Sequence, residues 1–105
     1  MRFVETPVFT RAVTALLGEE QYRALQLALA LRPEQGDVIR GSGGLRKLRW
    51  GLAGRGKRSG ARVIYYWDKP THTFYMLYAY TKHEQGDLTP QQVKVLRRLV
   101  REEFK

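Results

Sequence analysis

The chain has 105 residues, 43% hydrophobic and 28% charged, enough for one globular core and too few for two. Lys and Arg number 19 against 10 Asp and Glu, a net charge of +9, so the expected partner is acidic: nucleic acid first, then an anionic surface or an acidic protein. The absence of cysteine excludes disulfides and thiolate chemistry, and two histidines, His72 and His83, argue against a structural zinc site. No apolar run reaches the length of a membrane span and the N-terminus lacks a signal-peptide core, so the expectation is a cytoplasmic protein with no membrane partner.

In chain order, residues 3–6 are β-prone and end at Pro7, which reads as a first strand. Phe9, Val13, Leu16 and Leu17 fall at helical spacing, with Thr10 as the expected cap and Gly18 as the break. A second helix opens on Glu19 and Glu20, acids that suit the positive end of a helix dipole. Tyr22, Leu25, Leu27, Leu29 and Leu31 give it an apolar stripe, and Arg32-Pro33 stops it. Residues 33–44, rich in glycine, read as a loop.

Residues 45–50 and 61–67 are strand-like and flank residues 51–60, where glycines alternate with cations as in a hairpin loop. Residues 68–71 read as a turn, and 73–80 as a strongly aromatic strand of central character. Thr89-Pro90-Gln91-Gln92 combines a cap, a proline at the first helical position and a glutamine at the third, the start of a last helix with Val93, Leu96, Val100 and Phe104 on its apolar face. The order is β-α-α-β-β-β-α. It implies one α+β domain over residues 1–105, with a twisted, mostly antiparallel sheet of about four strands and the helices packed on one face.

Between Val38 and Trp67 there is no acidic residue, yet Arg40, Arg46, Lys47, Arg49, Arg55, Lys57, Arg58 and Arg62 all fall there. Strand alternation puts Lys47 and Arg49 on one face and Arg46, Leu48 and Trp50 on the other. Lys47, Arg49 and Arg62, if they share a face with Tyr80 or Lys82, form a cationic cleft with one aromatic surface for stacking an unpaired base. Such a cleft suits metal-independent cleavage of RNA. That reaction needs a base for the 2′-hydroxyl, an acid for the leaving 5′-oxygen and cations for the charge gathering on phosphorus. Arginine serves only the last task; crowded lysines (Lys47, Lys57, Lys82) and His83 are candidates for proton transfer. No cofactor is called for.

The segments 36–49 and 56–66, extended by Tyr80-Thr81-Lys82-His83-Glu84 and a final helix, resemble the RelE/HigB toxins of bacterial type II toxin–antitoxin modules, within the RelE/ParE superfamily. The resemblance spans nearly the whole chain. It implies a ribosome-dependent mRNA endoribonuclease that cuts in the decoding site and is neutralised by a cognate antitoxin. It also implies that the scissile phosphate meets Lys47 and Arg49, Arg62, and Lys82 or His83, with Lys57 as a further catalytic candidate. Arg46, Arg55, Arg58 and Tyr80 are then expected to bind RNA. One departure is the lack of any tyrosine between Gln85 and Lys105, for which Tyr80 is the candidate replacement. Two alternatives stand beside this reading: a ParE-like inhibitor of DNA gyrase, and a non-catalytic RNA- or ribosome-binding module.

Overall fold

The computed structural model describes residues 1–52 and 60–104; Arg55, Lys57 and Arg58 lie outside the described residues. The elements are β1 (Arg2–Glu5), α1 (Pro7–Leu16), α2 (Glu19–Leu31), β2 (Asp37–Val38), β3 (Arg46–Trp50), β4 (Ala61–Asp68), β5 (Thr73–Thr81) and α3 (Pro90–Leu99), which ends in a wider π-type turn, Val100–Phe104. The strands form one sheet in the order β1-β5-β4-β3-β2. All neighbours are antiparallel except β1, which runs parallel to β5.

Local chemistry explains where α1 begins. Thr6, not Thr10, is its cap: the Thr6 hydroxyl accepts from the Phe9 amide at 3.0 Å and donates to the Leu77 carbonyl at 2.8 Å. Pro7 therefore opens the helix rather than merely closing the strand before it, because the missing amide proton costs nothing in the first turn. The same hydroxyl fastens α1 to β5 across the core.

The sheet is covered on both faces, and not on one as the sequence pattern implied. On the first, α1 and α2 bury Phe9, Val13, Leu17, Leu25 and Leu29 against Leu48, Val63, Tyr65, Phe74 and Met76. On the second, α3 and its terminal turn lay Leu96, Leu99, Val100 and Phe104 over Leu45, Ile64, Leu77 and Tyr80. Two-sided burial is what the continuous apolar run of β5 requires. Leu27 and Leu31 stay outside the α2 stripe, 62% and 74% exposed. Among the described residues no helix is long and apolar enough to cross a membrane.

One irregularity controls the second face. Ile64 pairs with Tyr78 and Tyr65 with Met76, so β5 advances two residues where β4 advances one, and Leu77 is the extra residue. A bulge of this kind reverses which side the following residues point to. Phe74 and Met76 accordingly face the helical hairpin, whereas Tyr78 and Tyr80, an even number of residues further on, face α3.

Candidate nucleic-acid interface

Directly opposed residues on paired strands project from the same face. Two rows therefore cross the α3 side of the sheet: Asp37, Lys47, Ile64 and Tyr78, and beside them Arg49, Arg62 and Tyr80. The structure thus places Lys47, Arg49, Arg62 and Tyr80 on one face, the last by way of the bulge in β5. An open groove of about 580 Å³ runs along this edge, with Arg40, Lys47 and Arg49 on one wall and Asp87, Leu88 and Pro90, leading into α3, on the other.

The wall that carries Arg40 is a fixed turn. Buried Ser42 donates from its hydroxyl to the Ile39 carbonyl and accepts from the Leu45 amide at 3.0 Å. Gly43, at φ +75°, lets the Arg97 side chain pass: a Cβ there would stand 3.3 Å from Arg97 Nε. Arg97 in turn reaches the Gly41 carbonyl at 3.4 Å, so α3 and the groove rim are tied by a cation.

The groove is not purely cationic. Lys47 Nζ donates to Asp87 Oδ1 at 3.1 Å, and the Leu88 amide donates to the same oxygen at 2.9 Å. Burial acts to raise the Asp87 pKa, but the Lys47 hydrogen bond, the Leu88 amide and the charges of Lys47 and Arg62 outweigh it and hold the carboxyl below its ordinary value. The turn that presents Asp87 is well tied. Tyr78 Oη donates to Gln85 Oε1 at 3.3 Å, and Gln85 Nε2 donates to the Asp87 carbonyl at 2.7 Å. Gln85 Nε2 also reaches Gln92 Oε1 at 2.8 Å, inside the capping box that Thr89 and Gln92 form at the start of α3.

Five candidate residues sit differently from expectation. Arg46 lies on the opposite face and holds the α2–β2 connection, donating to the Glu34 and Gly36 carbonyls at 2.9 and 2.8 Å and pairing with Glu34. It is committed to structure and leaves the RNA-binding set. Tyr80 is fully buried under α3, so its ring offers no free face for a base; its hydroxyl, with no hydrogen-bond partner, is the part that bears on the site. Lys82 and His83 are exposed on the turn after β5 and do not line the groove. Arg62 is only 5% exposed, with one guanidinium nitrogen 3.3 Å from the Ala61 carbonyl.

Sequence reasoning missed Asp87 as a site residue and named Arg40 only as one cation among many. The available signal for Asp87 was its place: a lone acid immediately ahead of a helix start in a strongly basic chain.

Burial pushes the Tyr80 hydroxyl pKa up to about 12, Asp87 adds to the rise, and Arg62 opposes it. The hydroxyl therefore stays protonated at neutral pH and is available as a donor. Lys47 and Arg49 line the groove, donors that suit a phosphodiester, while Arg62 and Tyr80 stand buried in the same row of the sheet beside them.

This arrangement is a small RelE-like α+β domain. A solved structure of the E. coli toxin RelE, a double arginine mutant in the free state, matches with a TM-score of 0.57 at 12% sequence identity, over 80% of this chain and 85% of that one. No family model matches the sequence. At that identity the likeness establishes the fold.

Proposed function

We propose that the protein is the toxin of a type II toxin–antitoxin module and a ribosome-dependent mRNA endoribonuclease. The observation that carries this reading is the in-register placement of Arg49 opposite Arg62, with Lys47 in the adjoining row, beside a groove open to solvent. The RelE-like fold supports it.

Cleavage proceeds by attack of the 2′-hydroxyl on the adjacent phosphorus, so no metal or cofactor is required. Arg49 and Arg62 neutralise the charge that builds on the phosphoryl oxygens, an electrostatic task that fixed guanidinium groups perform well. Lys47 binds the phosphate. Proton transfer falls to Lys82 or His83, which are exposed and free to approach a substrate docked from the ribosomal side, with Lys57 as a further candidate. The partners are mRNA in the decoding site and a cognate antitoxin, which a cytoplasmic location permits.

The test adds purified protein to a cell-free translation reaction and maps mRNA 5′ ends, with and without ribosomes, for wild type and Arg62→Ala. Ribosome-dependent cuts that vanish in the variant are the expected result. Intact mRNA at doses that arrest growth would overturn the reading and turn attention to DNA gyrase.

A further inference from the structure

Among the described residues the Tyr80 hydroxyl is a buried donor with nothing to donate to, covered in the row beside the groove. Leaving such a group unsatisfied is costly to a folded protein, so an orphan beside a candidate site points to a ligand absent from the free chain. Its neighbourhood is cationic. Arg62 stands directly opposite Tyr80 on β4, and Arg49 opposite Arg62 on β3.

The built-in anion that acts on this set is Asp87. Its carboxylate enters the groove from the α3 side and takes Lys47 at 3.1 Å, and its charge acts on both Arg62 and Tyr80. The Tyr78 ring, 5.7 Å from that of Tyr80, anchors the same turn through Gln85. Asp87 Oδ1 is already shared between Lys47 and the Leu88 amide. A phosphodiester, larger and tetrahedral, presents its non-bridging oxygens in divergent directions and can meet two donors at once.

We propose that the Asp87 carboxylate holds the place of a substrate phosphate in the free protein. On entering, a backbone phosphate of single-stranded RNA displaces it and takes Lys47 as counter-ion, and with Asp87 withdrawn the Tyr80 hydroxyl, covered in the free chain, comes within reach of the phosphate. This rests on reading the face as an RNA site and adds two elements to it: a resident competitor, and a neutral donor whose function lies in its hydroxyl rather than its ring. Asp87 then sets how readily the groove accepts RNA, and the side chain of Gln85 sets how far Asp87 can withdraw.

The experiment measures binding of a labelled 2′-O-methyl RNA strand, which lacks the attacking hydroxyl, to the full chain by fluorescence anisotropy. Asp87→Asn is expected to bind roughly fivefold tighter than wild type, the scale of one exposed ion pair. Asp87→Ser, which cannot reach Lys47, is expected to do the same. Tyr80→Phe is expected to bind roughly fivefold weaker with no fall in unfolding temperature, since its hydroxyl has no partner to lose. Lys47→Ala and Arg49→Ala serve as controls for the face itself. Weaker binding in both controls, with no gain in either Asp87 variant or no loss in Tyr80→Phe, overturns the stand-in and leaves the RNA site. Unchanged binding in both controls overturns the RNA site as well.

Discussion

Arg49 and Arg62 stand directly opposite one another on neighbouring antiparallel strands, and Arg62 is almost wholly buried. Like charges in this relation work against the sheet by up to about 1 kcal/mol. Such a cost is expected where charge is concentrated for a ligand.

Replacing Arg62 by Met separates the two roles. Cleavage in the translation assay is expected to fall by about 10²- to 10³-fold, the effect of losing one preorganised donor to a developing oxyanion. The unfolding temperature is expected to fall by no more than a few degrees, since methionine keeps the buried apolar stem and removes the charge opposed to Arg49. A drop of many degrees would make Arg62 a structural cation instead.

Tyr65 does for the segment entering β2 what Ser42 does for the turn at Arg40 that leaves it. Its hydroxyl donates to the Pro33 carbonyl at 2.8 Å and accepts from the Gly36 amide at 3.0 Å, so it pins the connection that leads into β2. Tyr65→Phe orphans both backbone groups and is expected to cost about 1–3 kcal/mol in chemical denaturation. Gly36→Ala is expected to match it, because a Cβ there would lie 2.9 Å from the Tyr65 ring. A ΔΔG near zero for both would show that β2 is not held through this tyrosine.

Much of this architecture is legible in the sequence, and the gaps have physical reasons. The alternation of β3 separates Lys47 and Arg49 from Arg46 without any structure, and the capping box of α3 is plain in Thr89-Pro90-Gln91-Gln92. β2 is not legible: two residues carry no period, and Asp37 and Val38 form a strand only because β3 offers them an edge. The bulge at Leu77 is equally silent. Strict alternation from Phe74 would send Tyr80 to the helical hairpin, and the single extra residue sends it to the site. The stripe on α3 announces that it packs, but not on which face. Thr6-Pro7 was readable as a helix start and was outweighed by the strand before it.

Asp87 carries a pH signature. Its carboxyl is held below the ordinary value of about 4, so its ion pair with Lys47 contributes fully above that value and is lost as pH falls through the lower, folded-state pKa. Asp87 is largely exposed, which limits the contribution to a fraction of about 1 kcal/mol. The stability difference between wild type and Asp87→Asn, followed by denaturation from pH 7 to pH 2, is expected to shrink toward zero at the acid end. A difference that grew on acidification would contradict the pairing.

The start of α3 rests on polar contacts more than on burial. None of Pro90–Leu99 is fully buried, and the deep anchor is Val100, with Phe104 stacked on Tyr75 at 4.5 Å. Thr89→Ala is expected to cost about 1 kcal/mol. In hydrogen exchange the loss should appear first in α3 and in the turn carrying Asp87, which Gln92 joins through Gln85. Protection lost uniformly across the sheet would show that the helix does not open on its own.

The parallel pairing of β1 with β5 has a consequence in time. The bond from the Thr6 hydroxyl to the Leu77 carbonyl spans 71 residues, so β1 must wait for β5 to be made. At about 5–20 residues per second that wait is several seconds, during which β1 has no neighbour and α1 no floor. Chains that stall before β5 emerges hold neither the closed sheet nor the row that ends in Tyr80. The row from Arg49 to Tyr80 therefore comes together only after β5 has been made.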